Sequence, residues 1–189
     1  MRIRFSTCIG TNIVCDSLNE VIGQIAGILI HPDTGKIEGF YVAGSYVHGG
    51  SPFLASLDIV RWGKEVHVQE SDAVYPVEER IRLQPILSDP RRVLWQRIFT
   101  ENGRRIGTCS DVQFNTDSMR CEWLFPRKWW KWSAPLPLSD IVEIRPDAIL
   151  VRDQTTLVKE RIEEESGPMD LLESLQEIGR VPEGRISNK

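Results

Sequence analysis

The chain reads as a mostly β protein: two small antiparallel β-barrels in tandem, followed by a helical C-terminal tail. Three observations predict this class. A polar turn, Ile-Gly, an alternating apolar run and a second polar turn occur in order over residues 20–35 and again over 103–117. Ile22-Gly23 stands 84 positions before Ile106-Gly107. Between these landmarks, short β-branched and aromatic runs alternate with Gly, Pro, Asn and Asp clusters at close spacing, the pattern of a sandwich or barrel. Helical periodicity is concentrated near the C-terminus, where Leu171, Leu172, Leu175 and Ile178 recur at helical spacing.

Taken in order, residues 2–14 are apolar and β-branched and are expected to supply one strand to the first domain. A turn at 16–19 leads to Ile22-Gly23, where glycine at the head of a strand marks a bulge or a close backbone approach. Residues 24–30 form the next strand. Pro32 and Gly35 then close a hairpin, because proline cannot continue a ladder and glycine accepts the positive φ of a tight loop. The chain returns over 36–43, crosses a Gly-rich loop containing the turn pair Gly49-Gly50, and adds short strands at 53–54, 56–61 and 65–68. Closure into a barrel removes the edges that so small a sheet would leave open.

Pro76, Pro85 and Pro90 make residues 75–92 a connector with one helical turn. The order then repeats: strand 94–99, turn 100–103, strand 107–114, turn 115–118, strand 120–125. The Asp-Ile-Val that ends at Val60 recurs as Asp140, Ile141 and Val142, and residues 147–151 match 65–68. The predicted organisation is therefore a first barrel at 1–75, a linker at 76–91, a second barrel at 92–154 and a tail at 155–189. The tail is helical and ends in a disordered segment. A helix of about eleven residues is marginal in water alone, so Leu171, Leu175 and Ile178 are expected to dock on a barrel or on a partner.

Composition excludes several function classes. With 41% apolar and 26% charged residues and a formal charge of −4, the chain is an ordinary globular sequence with no whole-protein attraction to nucleic acid. No run of 18 apolar residues is present and the N-terminus does not read as a signal peptide. Cys8, Cys15, Cys109 and Cys121 show no Cys-x-x-Cys spacing and are read as reduced structural thiols rather than a disulfide or metal pair, which predicts a cytoplasmic location. His31, His48 and His67 are far apart and never paired with cysteine at ligand spacing, so no metal site is expected. No nucleophile constellation or phosphate loop can be named. Asp58 and Asp140 occupy matching positions, which assigns them to turn capping rather than acid–base work. The expectation is a non-enzymatic chain with no cofactor and no small-molecule substrate.

One stretch stands apart. Arg127, Lys128, Trp129, Trp130, Lys131 and Trp132 interleave three tryptophans with three cations. Three readings are open to it: tryptophans filling the second barrel's core with cations outward, a protein-binding surface enriched in Trp and Arg, or a nucleic-acid or membrane surface. The matching region of the first copy, 43–52, is Gly-rich and uncharged, so the copies diverge most here. The acidic residues of the tail, from Glu160 to Glu177, form a solvated face or else mask this basic stretch.

The order of polar turn, Ile-Gly, alternating strand, Pro-Asp-x-Gly turn, strand, Pro-Phe or Pro-Leu, Asp-Ile-Val and short strand resembles the PRC-barrel family over residues 8–72 and 92–153. That family includes the barrel of the photosynthetic reaction-centre H subunit and the C-terminal domain of the ribosome maturation factor RimM. The first copy carries Asn19-Glu20, Ile22-Gly23 and the turn from His31 to Gly35; the second keeps Asn102-Gly103 and Ile106-Gly107 but has Ser118 and Met119 in place of the turn glycine. The resemblance implies a barrel without catalytic residues. It would bind a protein partner or self-associate, or, as in RimM, associate with ribosomes or RNA.

Overall fold

Alternation of apolar and polar residues makes strands over much of the chain, and the Ile-Gly pairs place a bulge in the longest of them. The computed structural model describes residues 1–45 and 50–153. It is mostly β. In order come β1 (Arg2–Arg4), α1 (Phe5–Cys8), β2 (Asn12–Cys15), β3 (Glu20–Ile30), β4 (Ile37–Ala43), β5 (Pro52–Ala55), β6 (Ile59–Trp62), β7 (Val66–Val68) and β8 (Val74–Pro76). After the short helix α2 (Gln84–Leu87) follow β9 (Arg97–Thr100), β10 (Arg105–Asn115), β11 (Arg120–Lys128), β12 (Lys131–Trp132), β13 (Leu136–Pro137), β14 (Ile141–Ile144) and β15 (Ala148–Val151). The strands form two curled sheets.

The two sheets have one topology. In the first, β6-β7-β2-β3-β4-β5 are neighbours; in the second the order is β14-β15-β9-β10-β11, with β13 also on β11. Each contains one parallel pair, β2 with β7 and β9 with β15. Opposite Val14 and Ile13, the register of β3 passes from Val21 to Gly23, leaving Ile22 as an extra residue. Opposite Ile98 and Phe99, β10 passes from Arg105 to Gly107, leaving Ile106. The Ile-Gly pair is thus a bulge residue followed by a position that the next strand crosses closely. A Cβ on Gly23 would lie 2.4 Å from Val42 Cγ1, and one on Gly107 would lie 2.8 Å from the Arg127 carbonyl oxygen.

The copies interlock through their hairpin turns. Ile37 N donates to Met119 O at 2.7 Å, and Cys121 N donates to Gly35 O at 2.8 Å. These are the same bond made once in each direction, as a local two-fold relation requires. Gly35 and Met119 also share a left-handed backbone, at φ 64° and 48°. The turn glycine missing from the second copy is therefore replaced by a methionine that adopts its conformation.

Burial joins the halves. One continuous core includes Ile13, Ile25, Phe40, Ile98, Phe114, Leu124 and Ile149, drawing on both sheets. At its centre Phe40, Trp62 and Phe114 meet with ring centroids 5.1–5.8 Å apart. Aromatic contacts of this kind add about 0.5–1.5 kcal/mol each beyond area burial. A smaller cluster of Phe53, Ala55, Val77 and Leu83 pins the segment between the copies, which carries β8 and a series of helical turns, to the back of β5.

The N-terminal segment departs from its expected place. Only β2 enters the first sheet; β1 crosses and pairs antiparallel with β10 of the second, Ile3 opposite Phe114. The cause is Asp111, whose carboxylate is 1% exposed and therefore needs partners. It accepts from Ser6 N, Ser6 Oγ, Arg4 Nε and Val112 N, at 3.0, 2.6, 3.0 and 2.9 Å. Leu171, Leu175, Ile178 and the rest of the expected helical tail lie outside the described residues.

Candidate functional site

The second sheet ends in a hairpin that projects the basic tryptophan stretch. β11 and β12 pair Arg127 with Trp132 and Lys128 with Lys131, leaving Trp129 and Trp130 as the two-residue turn. Trp129 and Trp130 are 82% and 83% exposed, and Trp132 is 53% exposed. This overturns the reading in which the tryptophans fill the second barrel's core. The tip residues lie beyond the last pair of the ladder, Lys128 with Lys131. Core positions on β11 are taken instead by Cys121 and Leu124.

Two features of the tip are locally unfavourable. Trp129 sits at φ 57°, a left-handed conformation that costs a non-glycine residue roughly 1–2 kcal/mol. Lys128 and Lys131 stand directly opposite each other across the ladder, where like charges repel. Turn chemistry alone would place Asn or Gly at this tip.

The base of the hairpin is braced. The Arg4 guanidinium lies 4.0 Å from the Phe125 ring centroid and 5.0 Å from that of Trp132, while Arg127 lies 5.5 Å from Trp132 on its own hairpin. Trp132 thus has two cations within cation–π range. Arg4 in turn is held by the buried Asp111. Among the described residues, Arg127, Lys128 and Lys131 make no ion pair, so the hairpin presents unneutralised positive charge around exposed aromatic area.

Compared with known proteins, the chain matches no family model and no curated protein.

The other candidates do not gather at this hairpin. Asp58 ends the helical turn Ser56–Asp58 before β6, and Asp140 ends the turn Leu138–Asp140 before β14. Asp58 accepts from Arg80 at 3.4 Å. Gly23 and Gly107 are buried at strand crossings. All four cysteines are free and buried. Burial pushes the Cys8 and Cys121 thiols up to about 12 and raises Cys109 as well, so they are held in the unreactive thiol form. His67 bonds Asp16 at 2.7 Å with Arg61 beside it, and His31 caps its own turn through Asp33 N. Among the described residues no group of three His, Cys, Asp or Glu side chains could hold a metal, and no helix is long and apolar enough to cross a membrane.

Sequence reasoning missed the contribution of Arg4 to the hairpin's base, because it comes from more than 120 positions away. Asp111, a lone carboxylate inside an apolar strand, was the available signal.

Proposed function

We propose that this chain is a non-catalytic tandem PRC-barrel adaptor of the cytoplasm that docks a protein partner through the β11–β12 hairpin. The observation that carries the reading is the hairpin tip: two exposed tryptophans, one on left-handed backbone, above two facing lysines. A protein retains such costs at a surface where they serve recognition. Trp and Arg are enriched in binding hot spots, where they fill well-packed, desolvated pockets. The repeated strand order and the twin Ile-Gly bulges support the PRC-barrel assignment.

A second reading, ribosome or RNA association as in RimM, draws on the same interleaving of cations and stacking rings. The two separate by salt. Trp130→Ala and the triple change of Arg127, Lys128 and Lys131 to alanine are compared with the parent chain for binding to total RNA and to lysate proteins identified by mass spectrometry. The adaptor reading expects defined proteins to be lost with Trp130→Ala, with weak salt dependence. Tight RNA binding whose log-affinity falls steeply with log salt, by nearly one unit per phosphate contact, and flattens in the triple variant would replace it.

A further inference from the structure

The two-fold relation between the copies leaves one strand edge covered in the second sheet and, among the described residues, open in the first. On β10, β9 pairs as far as Thr108 and β1 takes up the same edge at Gln113–Asn115. On β3, β2 and the residues just before it bond as far as Ile25, and beyond it, among the described residues, only β4 pairs with the strand. The twin of β1 would be the segment that precedes β9. That segment is correctly placed: Trp95 N donates to Cys109 O at 2.7 Å just as Gly10 N donates to Ile25 O at 2.8 Å, and Val93 is buried as Cys8 is. It is not a strand, however. α2 coils part of it, and Pro90, which has no N–H, stands where the first segment has Phe5.

No backbone hydrogen bond joins 26–30 to this segment among the described residues. Direction follows from the neighbouring turn. His31 bonds toward β4, donating to Lys36 O and accepting from Gly35 N, so alternation along the strand turns the N–H and C=O of Ile30 and Ile28 the other way. The second copy agrees: Thr116 N donates to Met1 O, which puts Phe114, the twin of Ile30, on the β1 side. The open edge lines a groove of about 460 Å³ whose walls include Ile86, Leu87, Leu94 and Trp95. Gly27 and Tyr41 also line it, packed so closely that a Cβ on Gly27 would lie 3.0 Å from the Tyr41 ring. Arg92 stands at the rim, exposed and without an ion pair among the described residues, while Arg91 is already held by Asp33 and Asp89.

We infer that the β3 edge at Ala26–Ile30 is a strand-addition site for an extended segment of a partner protein with alternating apolar residues and a carboxylate facing Arg92. The segment runs antiparallel to β3, as β1 runs along β10, and exchanges backbone hydrogen bonds with Ile28 and Ile30. Unpaired edges flanked by apolar pockets are the usual acceptors of such strands. The site is remote in sequence from the tryptophan hairpin and does not depend on it.

The probe is an array of pentapeptides alternating Val or Ile with Glu, beside the same peptides with Lys in place of Glu, titrated against the full chain. The expected result is binding of the Glu series and at least tenfold slower amide exchange at Ile28 and Ile30. Methylating the peptide nitrogens that face β3 should abolish both effects. Arg92→Glu, a surface change, should shift preference at least tenfold toward the Lys series, and Trp130→Ala should leave peptide binding unchanged. Three results would each overturn the site: no binding by any peptide, binding indifferent to N-methylation, or Ile28 and Ile30 amides in the free chain protected as strongly as those of Gly27 and Leu29. Trp130→Ala separates this site from the adaptor reading, because that change tests the hairpin alone.

Discussion

Replacing Gly107 or Gly23 by alanine adds the same methyl group at twin positions, yet the structure predicts unequal costs. At Gly107 the new Cβ meets backbone: the Arg127 carbonyl oxygen at 2.8 Å, its carbon at 3.0 Å and its nitrogen at 3.4 Å. Relief requires the β10–β11 ladder itself to move at its bulge. At Gly23 the nearest atom is Val42 Cγ1 at 2.4 Å, with the Ala43 carbonyl oxygen at 3.2 Å. A valine methyl can be displaced by a χ1 change, at the cost of a less favoured rotamer. Overpacking typically costs about 1–3 kcal/mol, so Gly107→Ala belongs at about 3 and Gly23→Ala at about 1–2. For a fold of roughly 150 residues, 1 kcal/mol shifts Tm by about 2–4 °C. Calorimetry should therefore show Gly107→Ala melting about 6–12 °C lower and Gly23→Ala about 2–8 °C lower. Because the core is continuous across both sheets, each variant should melt in one transition. Val42→Ala should cost less in the Gly23→Ala background than in the parent, with a coupling of order 1 kcal/mol. A Gly107→Ala Tm within about 2 °C of the parent, or a larger loss for Gly23→Ala, would refute the distinction between backbone and side-chain crowding. Two separate transitions would refute the shared core.

Asp111→Ala should destabilise by about 3–5 kcal/mol, since it strands the Ser6 and Val112 amides and the Arg4 guanidinium, and hydrogen exchange should accelerate first at β1. Trp129→Asn should raise stability by about 0.5–1 kcal/mol, because asparagine tolerates left-handed backbone, while weakening partner capture; a loss of stability in denaturant titration would contradict the strained-tip reading. The Arg91 guanidinium lowers the pKa of Asp33 and of Asp89, so these carboxylates stabilise the fold above the ordinary carboxylate range and lose that contribution as pH falls through their depressed values. Tm measured against pH should show a difference between the parent and Arg91→Ala at neutral pH that closes in acid, and the difference should shrink with salt because the groups are at the surface.

The duplication was legible because its markers are local. Ile22-Gly23 and Ile106-Gly107 encode bulges, and the prolines and glycines of the turns encode backbone restrictions; such constraints are written in adjacent residues. The positions of β1 and of the tryptophans were not legible. Residues 2–4 have the composition of a strand but say nothing about which sheet offers an edge; that depended on Asp111 drawing Arg4 and Ser6 across to the second copy. An alternating Trp-Lys run is compatible with a buried or an exposed face, and only the end of the β11–β12 ladder places Trp129 and Trp130 in water.

By itself, the sequence determined a mostly β chain with a twofold internal repeat and its turn positions. Those features follow from side-chain alternation and from the steric limits of glycine and proline, which act over a few residues. The tertiary structure alone decided that the copies share one core, that Met119 adopts the conformation of Gly35, that β1 covers β10 while no described strand covers the matching edge of β3, and that the basic tryptophans face solvent. Each of these depends on which surfaces meet at long range, where burial of Phe40, Trp62 and Phe114 and the satisfaction of Asp111 outweigh local preference.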